Sequence, residues 1–445
     1  MNVARFLQTA AAVQRHPRAT RAEVKAYQDA QLRRLVVHAY ENVPYYRKLF
    51  DRHRLHPRHI RGTVDLDLIP ITSKQEMRER PAAELLDRTV APESLLRVCT
   101  NGSTGEPFVV QRTWLEDGYN VLFRQRAYQS FGLRLTDRIA MVGLRRAPDP
   151  RDKKVAGRLV RTLGVHPRIK VDGMRPPEEV ARELGAFRPD MIVAAPGILC
   201  LTADHLLAAG RRPIRPRALL VGGEVLTPLV RRRLREAFGV EPVQTYASHE
   251  FPLMGWECPV SGEYHTCDDS VILEVMRDGR SVGPGEDGEV VATNLHSYSM
   301  PFLRYRLADV VTRGAEQCVC GQPFSTIKSV QGRMIDYFAL PDGRMLHPYH
   351  ILQQLIAGGD AWIRQYELLQ DRPDRIIMRV VPNQAPTPEL QERISRSVAP
   401  LLGIGVEFQV RVVEGIQPGP GGKYRHSRSL IGSAYETNPV MITDG

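Results

Sequence analysis

The chain has 445 residues, 42% of them hydrophobic and 25% charged, with a formal net charge of +11. That length exceeds one ordinary core and predicts two or more domains, and the composition excludes a disordered or fibrous chain. No apolar run approaches the roughly 18 residues of a membrane span, and the Ala-rich stretch at 9–13 is too short for a signal peptide; the expectation is a cytoplasmic protein with no membrane partner. Six cysteines, Cys99, Cys200, Cys258, Cys267, Cys318 and Cys320, are too sparse and uneven for a disulfide scaffold. Basic residues are spread along the whole chain, the pattern of a solvated surface, so nucleic acid is not the expected partner. Only eight of the 61 basic residues are lysine, which makes each lysine slightly more informative.

The first 60 residues read as helical: Leu32, Leu35, Val36 and Ala39 recur at helical spacing until Asn42-Val43-Pro44 breaks the pattern. From about 95 to 330 short apolar runs alternate with amphipathic segments. The runs at 139–142, 191–195 and 218–221 predict buried strands, with helices over 177–186 and 228–238 between them. The pattern turns β-rich over 288–294 and 298–311. The remainder predicts an α+β unit: a hairpin at 340–344, a helix after Pro348, strands at 376–381 and 406–413, and a helix over 388–402.

Thr100-Asn101-Gly102-Ser103-Thr104-Gly105-Glu106-Pro107 is the first segment loaded with chemistry. Its glycines allow close backbone approach, and successive N–H groups can form an anion-binding nest. It lacks the Lys-Ser/Thr of a Walker A loop. A strand-like 242–245 leads into Tyr246-Ala247-Ser248-His249-Glu250. Further on come Pro301-Phe302-Leu303-Arg304-Tyr305-Arg306-Leu307-Ala308-Asp309, then Gly332-Arg333, and last Gly419-Pro420-Gly421-Gly422-Lys423-Tyr424-Arg425.

In this order the set resembles the adenylate-forming superfamily of acyl-CoA synthetases and adenylation domains, and within it the phenylacetate–CoA ligase family. The segments 39–47 and 68–74 add to the match. The resemblance implies an α/β fold: a large layered α/β N-terminal domain over 1–331 with a β-rich subdomain, and a small, mobile α+β C-terminal domain over 332–445. It implies ATP-dependent conversion of a carboxylic acid, aryl or arylacetic, to acyl-AMP and then to a coenzyme A thioester. ATP, Mg²⁺ and CoA are the expected cofactors and partners, and a homodimer is the expected assembly. The competing readings are transfer of the acyl group to an amine or carrier protein, and a non-catalytic nucleotide- or nucleic-acid-binding protein.

The resemblance also assigns roles. Thr100, Gly102, Ser103, Thr104 and Gly105 would cradle the phosphates. Gly222, Gly223 and Glu224 would lie against the adenine, Tyr246 would stack on it beside Ala247, and Asp309 would accept from the ribose hydroxyls. Arg333 would reach ribose or phosphate at the hinge. Glu250 would hold Mg²⁺, and Lys423 would bridge the charge building on carboxylate and α-phosphate. His249, Phe251, Ala195 and Pro196 are the expected acid-pocket residues. This chain departs from the pattern at His249, at Leu307-Ala308 before Asp309 where Thr-Gly is usual, and at Ile335 where an aspartate is usual.

Cys258, His265 and Cys318-Val319-Cys320-Gly321 form a set suited to structural zinc: four N/S ligands satisfy a tetrahedral ion and leave no open catalytic position. Cys267 competes with His265 as the fourth ligand, and some phenylacetate–CoA ligase relatives show a similar arrangement.

Overall fold

The computed structural model describes residues 3–99, 108–134, 136–143, 167–173, 175–210, 214–224, 226, 228–333, 338–342, 345–346, 348, 351, 354, 362–384, 387–417 and 427–431. The chain divides into two compact units, Met1–Leu133 with Val243–Val330, and Arg134–Pro242 with Gln331–Gly445. No helix among the described residues is long and apolar enough to cross a membrane.

The first unit opens with helices Val3–Arg15, Arg21–Asn42 and Pro44–Arg52. Thr20 starts the second: its side chain accepts from the Glu23 amide while Glu23 accepts from the Thr20 amide, a reciprocal cap. The buried face carries Leu32, Leu35, Val36 and Ala39, as their spacing predicts. Pro44 opens the third helix in its first turn, where its missing N–H is not needed. The strands of this unit follow the spatial order Arg280–Ser281, Val271–Arg277, Asp287–Asn294, Tyr305–Arg313, Thr326–Arg333, Tyr264–Thr266, Gly255–Glu257, Pro242–Tyr246. Thr72–Ser73 pairs in parallel with Tyr305 and Arg306.

The β pattern expected from 298 begins only at Tyr305. Buried Glu116 is the reason. Its carboxylate accepts from the amides of Tyr298 and Ser299 at 2.6 and 2.7 Å, which removes them from any ladder. Arg304 then adopts a left-handed φ of 41°. Its guanidinium pairs with Glu274 at 2.9 Å and donates to the carbonyls of Asp67 and Ile69.

Asp269, completely buried, ties distant parts of this unit together. Arg126 pairs with its carboxylate, and His16 Nδ1 lies 2.6 Å from Oδ2. His296 Nε2 donates to the Asp269 carbonyl at 3.0 Å. Burial pushes His296 down to about 4, so its imidazole is neutral in the folded protein. In the unfolded chain it titrates near about 6.5. The unfolded state therefore takes the proton first as pH falls. The His296 contribution to stability is complete above about pH 6.5 and is lost between about 6.5 and 4, on the order of 3 kcal/mol. Urea unfolding at pH 7 and 4.5 should show this loss, and a smaller one in His296→Gln; equal losses in both proteins would refute it.

In the second unit, parallel strands lie in the order Ala218–Gly222, Met191–Ala194, Ile139–Gly143, Arg168–Asp172. Helices Pro177–Phe187, Pro196–Ala208 and Pro228–Phe238 pack with them around one core that includes Leu184, Ile192, Leu199, Leu219 and Leu234. The same unit has a separate core around Leu368, Ile376, Met378, Val380, Ile394 and Val398. That core belongs to the sheet Glu407–Val412, Arg375–Pro382, Ile363–Arg372, Ser427–Ser429 and to helix Pro388–Leu402. Thr387 caps this helix and Gly403, at φ 83°, ends it. The hairpin expected near 340–344 is the antiparallel pair Phe338–Ala339 and Met345–Leu346.

Candidate active site and metal centre

Two hydrogen bonds cross between the segments 246–250 and 305–309. Tyr246 ends the strand Pro242–Tyr246, and its hydroxyl donates to Asp309 Oδ2 at 2.7 Å. Glu250 is 7% exposed, and its Oε1 accepts from the Tyr305 hydroxyl at 3.3 Å. Burial, reinforced by the Glu250 charge, holds the Tyr305 phenol well above its usual range, so it remains a donor at neutral pH. Asp309 follows Ala308, which sits in the left-handed region at φ 61°. The backbone thus keeps a glycine-favouring conformation where the resemblance expects glycine and this chain has alanine.

The turn carrying Glu250 is pinned from several sides. The Ser248 amide donates to the Phe251 carbonyl at 2.8 Å, and Ser248 Oγ accepts from the Phe251 amide at 3.0 Å. Asn294 donates to the Glu250 carbonyl at 2.9 Å. Buried Arg112, at the end of strand Val109–Arg112, donates to the His249 carbonyl at 2.7 Å. Ala247 is exposed and His249 half-buried. Phe251 is a core residue, packed on Phe302 and Tyr305 with ring centroids 5.8 and 6.1 Å away.

Lys74 joins this group. Thr72–Ser73, paired with the start of the Tyr305 strand, delivers it to the first turn of the short helix Lys74–Arg78. Its Nζ lies 3.9 Å from Glu250 Oε1. In the sequence Lys74 and Tyr305 figure only as parts of matching segments, with no role. Lys74 carries one signal, its rarity in an arginine-rich chain; nothing separates Tyr305 from a core aromatic.

The second unit assembles its own residues. Gly223, at φ 81°, turns the chain after strand Ala218–Gly222, a conformation open to glycine at little cost. Glu224 Oε2 accepts from the Gly197 amide at 2.9 Å. That amide lies in the first turn of Pro196–Ala208, which has no side-chain cap of its own, so the carboxylate meets the positive end of the helix. Ala195 and buried Pro196 open the same helix. Arg333 is the last residue of strand Thr326–Arg333. Thr100, Gly102, Ser103, Thr104, Gly105 and Lys423 lie outside the described residues.

Cys258, His265, Cys318 and Cys320 bring their ligand atoms within 4.8 Å of one another. A tetrahedral ion with bonds of about 2.3 Å to sulfur and about 2.0 Å to nitrogen spaces its ligands roughly 3.5–3.8 Å apart. Here Cys258 and Cys318 sulfurs are 3.8 Å apart, and Cys320 Sγ is 3.3 Å from His265 Nε2. His265 is fully buried beside Trp256 and Phe324, and burial, aided by Arg126, pushes it down to about 4. Its imidazole is therefore neutral, the form that binds a metal. Burial opposes ionisation of the Cys258 thiol, but hydrogen bonds from the Ser261 and Val260 amides outweigh it and lower its pKa. The residues fit zinc. Cys267 stands apart from the quartet: its sulfur accepts from Arg126 at 3.0 Å, and it is His265 whose ligand atom lies with those of Cys258, Cys318 and Cys320.

No protein-family model matches the chain. The phenylacetate-coenzyme A ligase of Thermus thermophilus is 27% identical over 352 residues, 76% of each chain. That of Escherichia coli is 28% identical over 312 residues, 65% of this chain and 67% of the relative. A fumarate–(S)-2,3-diaminopropanoate ligase of Enterobacter agglomerans is 21% identical, over 58% of this chain and 65% of its own. Among solved structures, a 2-hydroxyisobutyryl-CoA ligase with 2-HIB-AMP superposes with a TM-score of 0.77 at 18% identity, covering 94% of this chain and 91% of that one. An anthranilate CoA ligase with anthranoyl-AMP gives 0.56 at 16% identity, covering 78% and 68%. The chain is thus a relative of the phenylacetate-coenzyme A ligases, built on the fold of the adenylate-forming CoA ligases.

Proposed function

We propose that the protein joins a carboxylic acid of the aryl or arylacetic class to AMP, using ATP, and then transfers the acyl group to coenzyme A. The observation that carries this is the pair of crossing hydrogen bonds, Tyr246 to Asp309 and Tyr305 to Glu250. They gather an aromatic face, a ribose acceptor and a buried carboxylate onto two segments of the fold that the adenylate-forming CoA ligases share.

In the first step a carboxylate oxygen attacks the α-phosphorus, forming the acyl–O–P bond as pyrophosphate leaves. Asp309, steadied by Tyr246, accepts the ribose hydroxyls. Glu250 is the residue to hold Mg²⁺, which, when bound, offsets charge on the phosphates. Tyr305 and Asn294 keep Glu250 in place. The segment 100–105 cradles the phosphates, and Lys423 bridges carboxylate and α-phosphate. In the second step the CoA thiolate attacks the acyl carbon and AMP leaves. The segment 332–445, whose sheet has a core of its own, is the mobile domain that carries Lys423 in and out. Zinc in the Cys258, His265, Cys318, Cys320 quartet is structural.

A panel of acids in ATP–pyrophosphate exchange, repeated with CoA and mass analysis of the product, tests the reading. Exchange with an aryl or arylacetic acid and a CoA thioester support it; no exchange with any acid defeats it. The alternative in which an amine accepts the acyl group is favoured by the diaminopropanoate ligase likeness, and an amide product without thioester would establish it. Asp309→Asn should raise KM for ATP by about tenfold with little change in kcat, because one charge-assisted contact to the ribose is weakened. A fall in kcat alone would remove Asp309 from that role.

A further inference from the structure

The second unit holds an ion pair that neither step uses. Arg233, on helix Pro228–Phe238, is 8% exposed. One terminal nitrogen donates to Asp204 Oδ1 on helix Pro196–Ala208. The other donates to the Ile363 carbonyl at 3.0 Å. Ile363 is the first residue of Ile363–Arg372, an inner strand of the C-terminal sheet. One guanidinium fork thus joins two bodies with separate apolar cores.

What precedes the sheet's last strand in the sequence gives this joint its meaning. Strand Ser427–Ser429 runs in parallel beside Leu368–Gln370, and Lys423 lies four residues before Ser427 in the sequence. Arg233 itself is on the helix that follows the turn Gly222-Gly223-Glu224. Opening the joint exchanges one protein hydrogen bond for one to water while Arg233 keeps Asp204, a small net change. A contact that must break and re-form in every cycle has this character; a shared hydrophobic core would not.

We infer that Arg233, held by Asp204, is a positioning residue for the adenylation step: by gripping the Ile363 carbonyl it docks the sheet whose strand Ser427–Ser429 follows Lys423 in the sequence onto the layer that precedes the turn Gly222-Gly223-Glu224, and it releases that sheet for thioester formation. The inference rests on the function proposed above.

The test uses the full chain and the acid that supports exchange in the parent protein. An Arg233→Lys ammonium keeps its attraction to Asp204 but lacks the planar fork that spans both partners. Exchange should fall about tenfold in kcat, the worth of one charge-assisted hydrogen bond, with KM for ATP nearly unchanged. Thioester formation from supplied acyl-AMP and CoA should be unchanged or faster. The double variant Asp204→Asn, Arg233→Gln leaves no lone buried charge and should show the same split. Equal falls in both half-reactions, or no change in either, overturn the inference alone. A parent protein with no acid-dependent exchange overturns the function and this inference with it.

Discussion

Replacing Lys423 with alanine should cut acid-dependent ATP–pyrophosphate exchange by about 10²–10³-fold. Two anions, the carboxylate and the α-phosphate, must approach within bonding distance, and negative charge grows between them in the transition state. An ammonium placed there binds the transition state more strongly than the ground state, so its loss appears in kcat. Nucleotide binding should change little, because the adenine, ribose and phosphate contacts proposed above come from other residues. Thioester formation from supplied acyl-AMP should also persist, since that step builds no bond to phosphorus. Exchange rates, calorimetry with ATP and single-turnover thioester formation separate the three. An ordinary loop lysine would leave all three unchanged.

Breaking the metal quartet should have the second largest effect. Cys318→Ser is expected to abolish stoichiometric zinc and to destabilise the first unit by about 3 kcal/mol or more, lowering its unfolding midpoint by about 6–12 °C. The effect should reach the candidate active site. His265 sits opposite Trp256 on strand Gly255–Glu257, and that strand pairs through Trp256 and Gly255 with Thr245 and Tyr246. A loosened hairpin therefore frees the strand that ends in Tyr246. Cys267→Ser, outside the quartet, should retain zinc. Metal analysis of both variants beside the parent protein decides this: a parent that takes up no zinc when supplied with it would rule out the metal.

The fold was legible where the chain is apolar or punctuated. The runs at 139–142, 191–195 and 218–221 correspond to the parallel strands Ile139–Gly143, Met191–Ala194 and Ala218–Gly222, since short, mostly buried apolar runs between amphipathic helices suit the inside of a parallel sheet. Thr387 and Gly403 bracket a helix whose pattern is plain in sequence. Over 298–304 the same reasoning overreached. The amides there bond to Glu116, nearly two hundred positions earlier, and no local pattern reports such a partner. The candidate site divides in the same way. Tyr246, Glu250 and Asp309 stand in segments that resemble a family, and the structure joins Tyr246 to Asp309 directly. Lys74 and Tyr305 gain meaning only through Glu250, which the topology, not the sequence, brings to them. The Cys/His quartet was legible as a spacing, but that His265 and not Cys267 groups with the other three shows only in the structure, where Cys267 meets Arg126.

The central claim is that a carboxylate oxygen becomes bonded to the α-phosphorus of ATP. Supplying the acid with both carboxyl oxygens labelled as oxygen-18, together with ATP and CoA, tests it directly. AMP should leave with one heavy oxygen and the thioester should keep the other. Unlabelled AMP, or ADP in its place, would contradict the account.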